Sequence, residues 1–304
     1  MFHVKQTNME YLKGCPVCET EKSSPFLEVK DHFLTGELFT LRKCEQCGFK
    51  YLNPRPSATE IGKYYESQAY ISHNARKKDL FSYAYRLARN YMIGKKYKVL
   101  HQFAHPQTLL DIGCGTGEFL QYCRSKKMEV FGQEPSAAAR LFAQTTHHLN
   151  VKESLDEYRD RKNYFDAITL WHVLEHIHEL NPTLEKIKSM LKPGGLILIA
   201  VPNTDSWDAR LFGSFWAAYD VPRHLYHFSP GSLKDLIEKH GFRLLATLPQ
   251  SLDAFYISLL SEKYRTGKSS WLTSFFQGLQ SNRIAKRTGC GHSSMIYLMT
   301  AENR

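Results

Sequence analysis

Apolar residues in the C-terminal two-thirds of the chain fall into two alternating patterns: short continuous runs, and longer stretches in which they recur every three or four positions. The runs predict strands near 108–112, 129–134, 149–152, 165–170 and 196–201. The stretches predict helices near 118–126, 136–145, 154–161, 175–191 and 231–240, and strands at 242–248 and 295–300 complete the series. Strict alternation of this kind implies an α/β fold, a parallel sheet with helices on both faces. Upstream, Leu80, Tyr83, Ala84, Leu87 and Tyr91 recur at helical spacing within a helix expected from about 75 to 103. Before it, Asn53-Pro-Arg-Pro56 reads as a stiff linker with a hinge near 54, and Ser57-Ala-Thr-Glu60 has the form of a capping box opening a short helix through 65. The N-terminal residues show only short strand-like segments, at 26–33 and 37–42.

The turn after the first of the main strands carries the most information. Thr108-Leu-Leu-Asp-Ile-Gly-Cys-Gly-Thr-Gly-Glu-Phe-Leu120 runs from an apolar strand through glycines at 113, 115 and 117 into a helix. Glycine there permits a tight turn with positive φ and lets a ligand lie against the main chain. The dinucleotide fingerprint requires glycine at 118, where this chain has Glu118, and a pyrophosphate would meet a carboxylate. A cofactor without phosphates, such as S-adenosylmethionine, fits better. The next strand ends in Glu134, about 20 residues beyond the first, where an acid can accept both ribose hydroxyls.

These residues resemble the class I S-adenosylmethionine-dependent methyltransferases. Asp111-Ile-Gly-Cys-Gly-Thr-Gly117 is similar to that family's first motif, Glu134 to its second, residues 165–176 to its fourth-strand motif and residues 191–200 to its turn into the fifth strand. The resemblance covers about 105–248, with 294–300 as a last strand. It implies a Rossmann-like seven-stranded sheet, mostly parallel with the last strand antiparallel, and S-adenosylmethionine held by Asp111, Gly113, Gly115, Gly117, Glu134, Leu155 and Trp171. Trp171 reads equally as plain core. It also implies that residues 64–73 lid the cofactor, with Tyr70 at the methionine end. The expected division is a module at 1–54, a linker and helical lid at 55–104, and a methyltransferase domain at 105–304 with cap insertions at 203–230 and 249–294. The second insertion, with Phe255 and Trp271-Leu-Thr-Ser-Phe-Phe276, is apolar enough to line a pocket for a small or lipid-like acceptor.

Composition sets bounds on this reading. With 304 residues and 42% apolar content the chain can bury a sizeable core. The longest aliphatic run, 196–201, is too short to span a bilayer and the polar start lacks a signal-like apolar region, so a cytoplasmic protein is expected. Of seven cysteines, Cys15, Cys18, Cys44 and Cys47 form two Cys-x-x-Cys pairs framing a short insert, which favours a closed structural Zn²⁺ site in a zinc ribbon over a redox dithiol. His32 is a weaker alternative ligand. The net charge of +10 is concentrated: residues 67–108 carry eight basic groups, among them Arg76, Lys77, Arg86 and Arg89, and one acidic group. That segment is either a solvated helix face or a guide for an anionic substrate.

Residues beyond the fourth strand face the methyl group in such a fold. His172, Glu175 and His176, spaced as on one helix face, can bind a divalent cation, or can hydrogen-bond across the sheet and fix the loop. Ubiquinone-type O-methyltransferases show a similar Glu-Val-Leu-Glu-His motif, in which His172 replaces the first glutamate. His172, His224 and His227 are the candidate general bases, and Arg223 a partner for an anionic acceptor. An O- or C-methyltransferase acting on a quinone or phenol, a sugar or a lipid-like acceptor is the leading expectation. RNA modification and a non-catalytic zinc-ribbon interaction protein on a methyltransferase scaffold are the alternatives, and the oligomeric state is left open.

Overall fold

The computed structural model describes residues 9–65 and 80–302, the side chains of 80–90 apart. Tyr70, Arg76 and Lys77, and with them residues 66–73 of the expected lid, lie outside the described residues, as do the side chains of Arg86 and Arg89.

Strands β6 (Thr108–Ile112), β7 (Glu129–Gln133), β8 (Asn150–Lys152), β9 (Phe165–Trp171), β10 (Leu191–Pro202), β12 (Phe242–Pro249) and β13 (Ser294–Ala301) form one seven-stranded sheet in the order β12-β13-β10-β9-β6-β7-β8. Pairing is parallel throughout except around β13, which runs antiparallel to both β10 and β12. The central strands are buried on both faces, which is why they read as unbroken aliphatic runs.

The helices are α1 (Leu80–Phe103), α2 (Glu118–Ser125), α3 (Ala137–Thr146), α4 (Leu180–Met190), α5 (Trp207–Phe212), α6 (Pro230–Lys239), α7 (Asp253–Thr266) and α8 (Trp271–Thr288). Two expected helices are shorter than their patterns. The 154–161 segment is a single 3₁₀ turn over Leu155–Tyr158, closed by a Ser154/Glu157 capping box, because only its two terminal residues reach the core. The 175–191 segment splits into a 3₁₀ turn at Leu174–His176 and α4, which starts at Leu180 so that Pro182 falls in the first turn, where its missing N–H costs nothing. His172 has φ +57°, so His172, Glu175 and His176 do not share a helix face as their spacing suggested. The capping box expected at Ser57 is likewise replaced by a 3₁₀ turn, Ile61–Tyr64, with no side-chain cap.

At the N-terminus, β1 (Met9–Glu10) pairs with β5 (Arg55–Pro56), while β2 (Ser23–Lys30), β3 (Leu38–Cys44) and β4 (Lys50–Leu52) form an antiparallel sheet. A strand from the C-terminal part of the chain, β11 (Tyr226–His227), joins that sheet through β4. Phe49, Tyr51 and Leu52 belong to the same apolar cluster as Ile112, Leu170, Ile197 and Ile199, so the N-terminal module packs onto one face of the large sheet. The opposite face buries Leu109, Val130, Ala167 and Leu198 against Val99 and Leu100 of α1 and Leu120 of α2. The module thus covers one face of the large sheet, and its His32 meets Phe215 and Tyr264 of the two cap segments.

Candidate active site

The loop from β6 to α2 is a bare backbone cradle. Gly113, Gly115 and Gly117 all have positive φ. At Gly113 a Cβ would strike Val173 at 2.4 Å, and at Gly117 it would strike Leu149 at 2.5 Å, so these two are glycines for packing. At Gly115 a Cβ would meet nothing within 4 Å: the turn opens onto free space there. Glu134 closes the cradle from the next strand, Oε2 accepting the Gly115 N–H at 2.8 Å and Oε1 the Ser136 N–H at 2.9 Å. Asp111 is buried beneath the loop and accepts the Thr169 hydroxyl at 2.6 Å. Burial pushes its carboxyl up to about 7, against the Thr169 bond and the nearby Lys96 charge. Leu155 lies buried just beyond β8.

Trp171 ends β9 beside the cradle, edge-on to Phe119, and its Nε1 finds no hydrogen-bond partner among the described residues. Lys96 of α1 lies 4.6 Å from its ring centre. Burial lowers the Lys96 pKa, opposed by Asp111 and Asp253. Sequence reading missed Lys96, since nothing in its spacing separates it from the other cations of α1.

The three candidate histidines occupy different surroundings. His172 Nε2 is 3.1 Å from Asp253 Oδ2 and 3.1 Å from Gln250 Nε2, and its Nδ1 is 3.5 Å from Glu175 Oε1. Burial disfavours the charged ring, but the two carboxylates outweigh it and hold the pKa up to about 10. His172 is therefore an imidazolium at neutral pH. His224 donates from Nδ1 to the Ala218 carbonyl at 2.8 Å, and its Nε2 lies 4.0 Å from Asp220 Oδ2. Its ring meets that of His176 edge-on, 4.6 Å between centres. Burial, followed by His224, pushes His176 down to about 4, and its Nδ1 lies 3.0 Å from the Arg223 carbonyl. One ligand atom each from Glu175, His176 and His224 lies within 4.8 Å of the other two, a donor set suited to a divalent cation; His172 is not part of it. Both Glu175 oxygens are buried without a hydrogen bond among the described residues, the 3.5 Å approach of His172 being an ion pair only. His227 stands apart. It is buried in β11, paired with Lys50 and edge-on to Tyr219, and burial drives its pKa well below the usual imidazole range.

Arg223, expected to face an anionic acceptor, is spent on the protein instead. It is buried and donates to Asp31 of the N-terminal module at 2.9 Å, to Asp220 at 2.7 Å and to the Tyr64 carbonyl at 3.0 Å.

Residues 83–247 match the methyltransferase-domain family. The chain belongs to that family. Its sheet order and cradle are those of the class I, S-adenosylmethionine-dependent type. It is 28% identical over 148 residues to a ubiquinone biosynthesis O-methyltransferase of Rhodopseudomonas palustris, covering 46% of this chain and 58% of that one. It is 30% identical over 140 residues to the enzyme of the same name from Nitrobacter winogradskyi, covering 43% and 53%. The chain thus spans little more than half the length of these relatives. A SAM dependent methyltransferase from Archaeoglobus fulgidus superposes with a TM-score of 0.50 at 23% identity, over 73% of this chain and 98% of that one, a likeness in fold.

The N-terminal module brings four cysteine sulfurs together. Cys15 and Cys47 Sγ are 3.5 Å apart, as are Cys18 and Cys44, and the four sulfurs lie within 4.8 Å of one another. A tetrahedron of thiolates at the zinc–sulfur bond length has edges of about 3.8 Å, so the donors fit a closed tetrahedral site. Bonds from backbone N–H groups and neighbouring thiols draw Cys44 down to about 7 despite burial, which favours one thiolate before any metal arrives. His32 stacks on Tyr264 instead, 4.7 Å between ring centres.

The chain also has a cleft of about 730 Å³ between the module and the segment after β10, lined by Lys50, Asp205, Arg210, Tyr219 and Cys290 among others. No cradle residue lines it. Among the described residues, no helix is long and apolar enough to cross a membrane.

Proposed function

We propose that the protein methylates an oxygen or carbon of a small-molecule acceptor, with S-adenosylmethionine in the β6 cradle and the acceptor at the carboxyl edge beside Glu175, His176 and His224. The observation that carries this reading is the Glu134–Gly115 pair closing a turn that is open at its tip. S-adenosylmethionine supplies an activated methyl group on a sulfonium. Gly115 gives it main-chain surface while Gly113 and Gly117 let the turn pack beneath it, Glu134 accepts from its ribose, and Leu155 and Trp171 flank its adenosyl portion. Asp111 and Lys96, an acid and a base, suit the two ends of an amino-acid moiety.

What the chain must then do is align the acceptor, exclude water and, for an alcohol or carbon acid, remove a proton. His224 is the base we favour, because its Nδ1 is tied to a carbonyl and Nε2 is the ring nitrogen left to exchange a proton. His172 is already charged, and His227 lies in the ribbon sheet. A second reading rests on the same cluster: Glu175, His176 and His224 hold a divalent cation that orients the acceptor oxygen. The names of the relatives support a phenolic or quinol acceptor. The four sulfurs take Zn²⁺ in a structural role.

A labelled-donor screen against quinols, phenols, nucleotide sugars, fatty acids and RNA tests the proposal. Transfer to a small molecule that fails in His224→Ala supports it, and transfer to RNA alone overturns it. Turnover that persists in a chelator mild enough to leave the four-cysteine zinc in place decides for His224 as base over the cation.

A further inference from the structure

The α7–α8 hairpin is built inside out. The sequence pattern suggested that the apolar residues of 271–276 line the pocket, but α8 buries Ser274, Gly278, Ser281 and Ala285 and turns its large side chains outward. Trp271 is 65% exposed, Leu272 76%, Phe275 50%, Phe276 65% and Leu279 44%. The inward face has a definite reason to be small and polar. Ser281 and Ser293 donate to the fully buried Asp208 at 2.9 and 2.8 Å, and the Trp216 indole completes that network at 2.8 Å. At Gly278 a Cβ would strike Phe255 at 2.7 Å. The packing of α8 is thus satisfied without its aromatic residues, which form a contiguous exposed apolar patch.

The charges around this patch have one sign. From 254 to 290 the chain carries Lys263, Arg265, Lys268, Arg283, Lys286 and Arg287 against a single acid, Glu262, which is buried and paired with Arg265 at 2.6 Å. The stripe Leu272, Phe276, Leu279 continues at the same helical spacing into Arg283 and Lys286, all exposed. An apolar half that leads into a cationic half, with further cations at the hairpin turn, complements a surface that offers hydrocarbon beneath negative headgroups. A second copy of this chain would bring the same positive charges to the contact. The apolar half, about 13 Å long, is too short to span a bilayer and suited to lying in its interface.

We propose that the outer face of α8 docks the protein onto anionic phospholipid bilayers. This stands apart from the identity of the methyl acceptor. The test is sedimentation of the full chain with vesicles of phosphatidylcholine and of phosphatidylcholine mixed with phosphatidylglycerol, at low and high salt. Pelleting with the anionic vesicles, weakened by salt and accompanied by a blue shift of tryptophan emission, is expected, since Trp271 is exposed while Trp207 is half-buried and Trp171 and Trp216 are buried. Leu272→Ser with Phe276→Ser should lower partitioning about tenfold or more, and Lys268→Glu about fivefold or more. Both variants alter exposed residues and should keep the wild-type melting temperature. Failure to pellet at low salt, undiminished pelleting of the double variant, or a solution dimer that this variant dissociates would each overturn the proposal.

Discussion

The Gly115 N–H donates to Glu134 Oε2 at 2.8 Å, joining the turn after β6 to the end of β7. One acid therefore shapes the cradle and presents its remaining lone pairs to the space above it. Gly115→Val adds strain at φ +57° and fills the open space. Its S-adenosylmethionine affinity should fall by about a hundredfold or more, with zinc content and circular dichroism unchanged. Calorimetry showing wild-type affinity in this variant would remove the cradle from the account.

The His172–Asp253 pair makes stability depend on pH. His172 is raised from an ordinary 6.5 to about 10, so its contribution is fully present below about 6.5 and is lost as pH rises through about 10. The melting temperature of the wild type should decline across that window, and that of Asp253→Asn should start lower and decline less. Parallel curves would show that the pair carries no such linkage.

Arg223 ties the N-terminal module to the catalytic half through a buried pair with Asp31. Removing one partner leaves an uncompensated buried charge, so Arg223→Ala should cost about 3 kcal/mol or more in urea denaturation. Asp31→Ala combined with Arg223→Ala should cost less than the sum of the two single changes. Unchanged cofactor affinity in folded Arg223→Ala protein would agree with a purely structural role; a selective loss of acceptor affinity would instead restore it to the substrate site.

Zinc removal should act on the module first. Cys44→Ala should lose the metal and lower the melting temperature, and a chelator should do the same to the wild type. Unaltered metal content in Cys44→Ala would count against the four-sulfur site.

What was legible in the sequence was what depends on near neighbours. The strand–glycine–helix passage at 108–120, the acid at 134 and the two Cys-x-x-Cys pairs each carry their geometry in local spacing, and the sheet follows from the alternation of patterns. What was not legible depends on distant partners. Arg223 resembled an anion ligand because Asp31, 192 residues away, cannot be paired with it from spacing alone. Lys96 and Asp253 reach the site from helices on either side of it in the chain. Trp271 and Phe276 read as pocket lining because apolar residues normally face inward, and only the buried Asp208 network shows why α8 presents its serines to the core.

Isothermal titration of the purified protein with S-adenosylmethionine, S-adenosylhomocysteine and NADH tests the central claim most directly. The account predicts one site per chain for the two adenosyl ligands and none for NADH. Tight NADH binding without any response to either adenosyl ligand would contradict it.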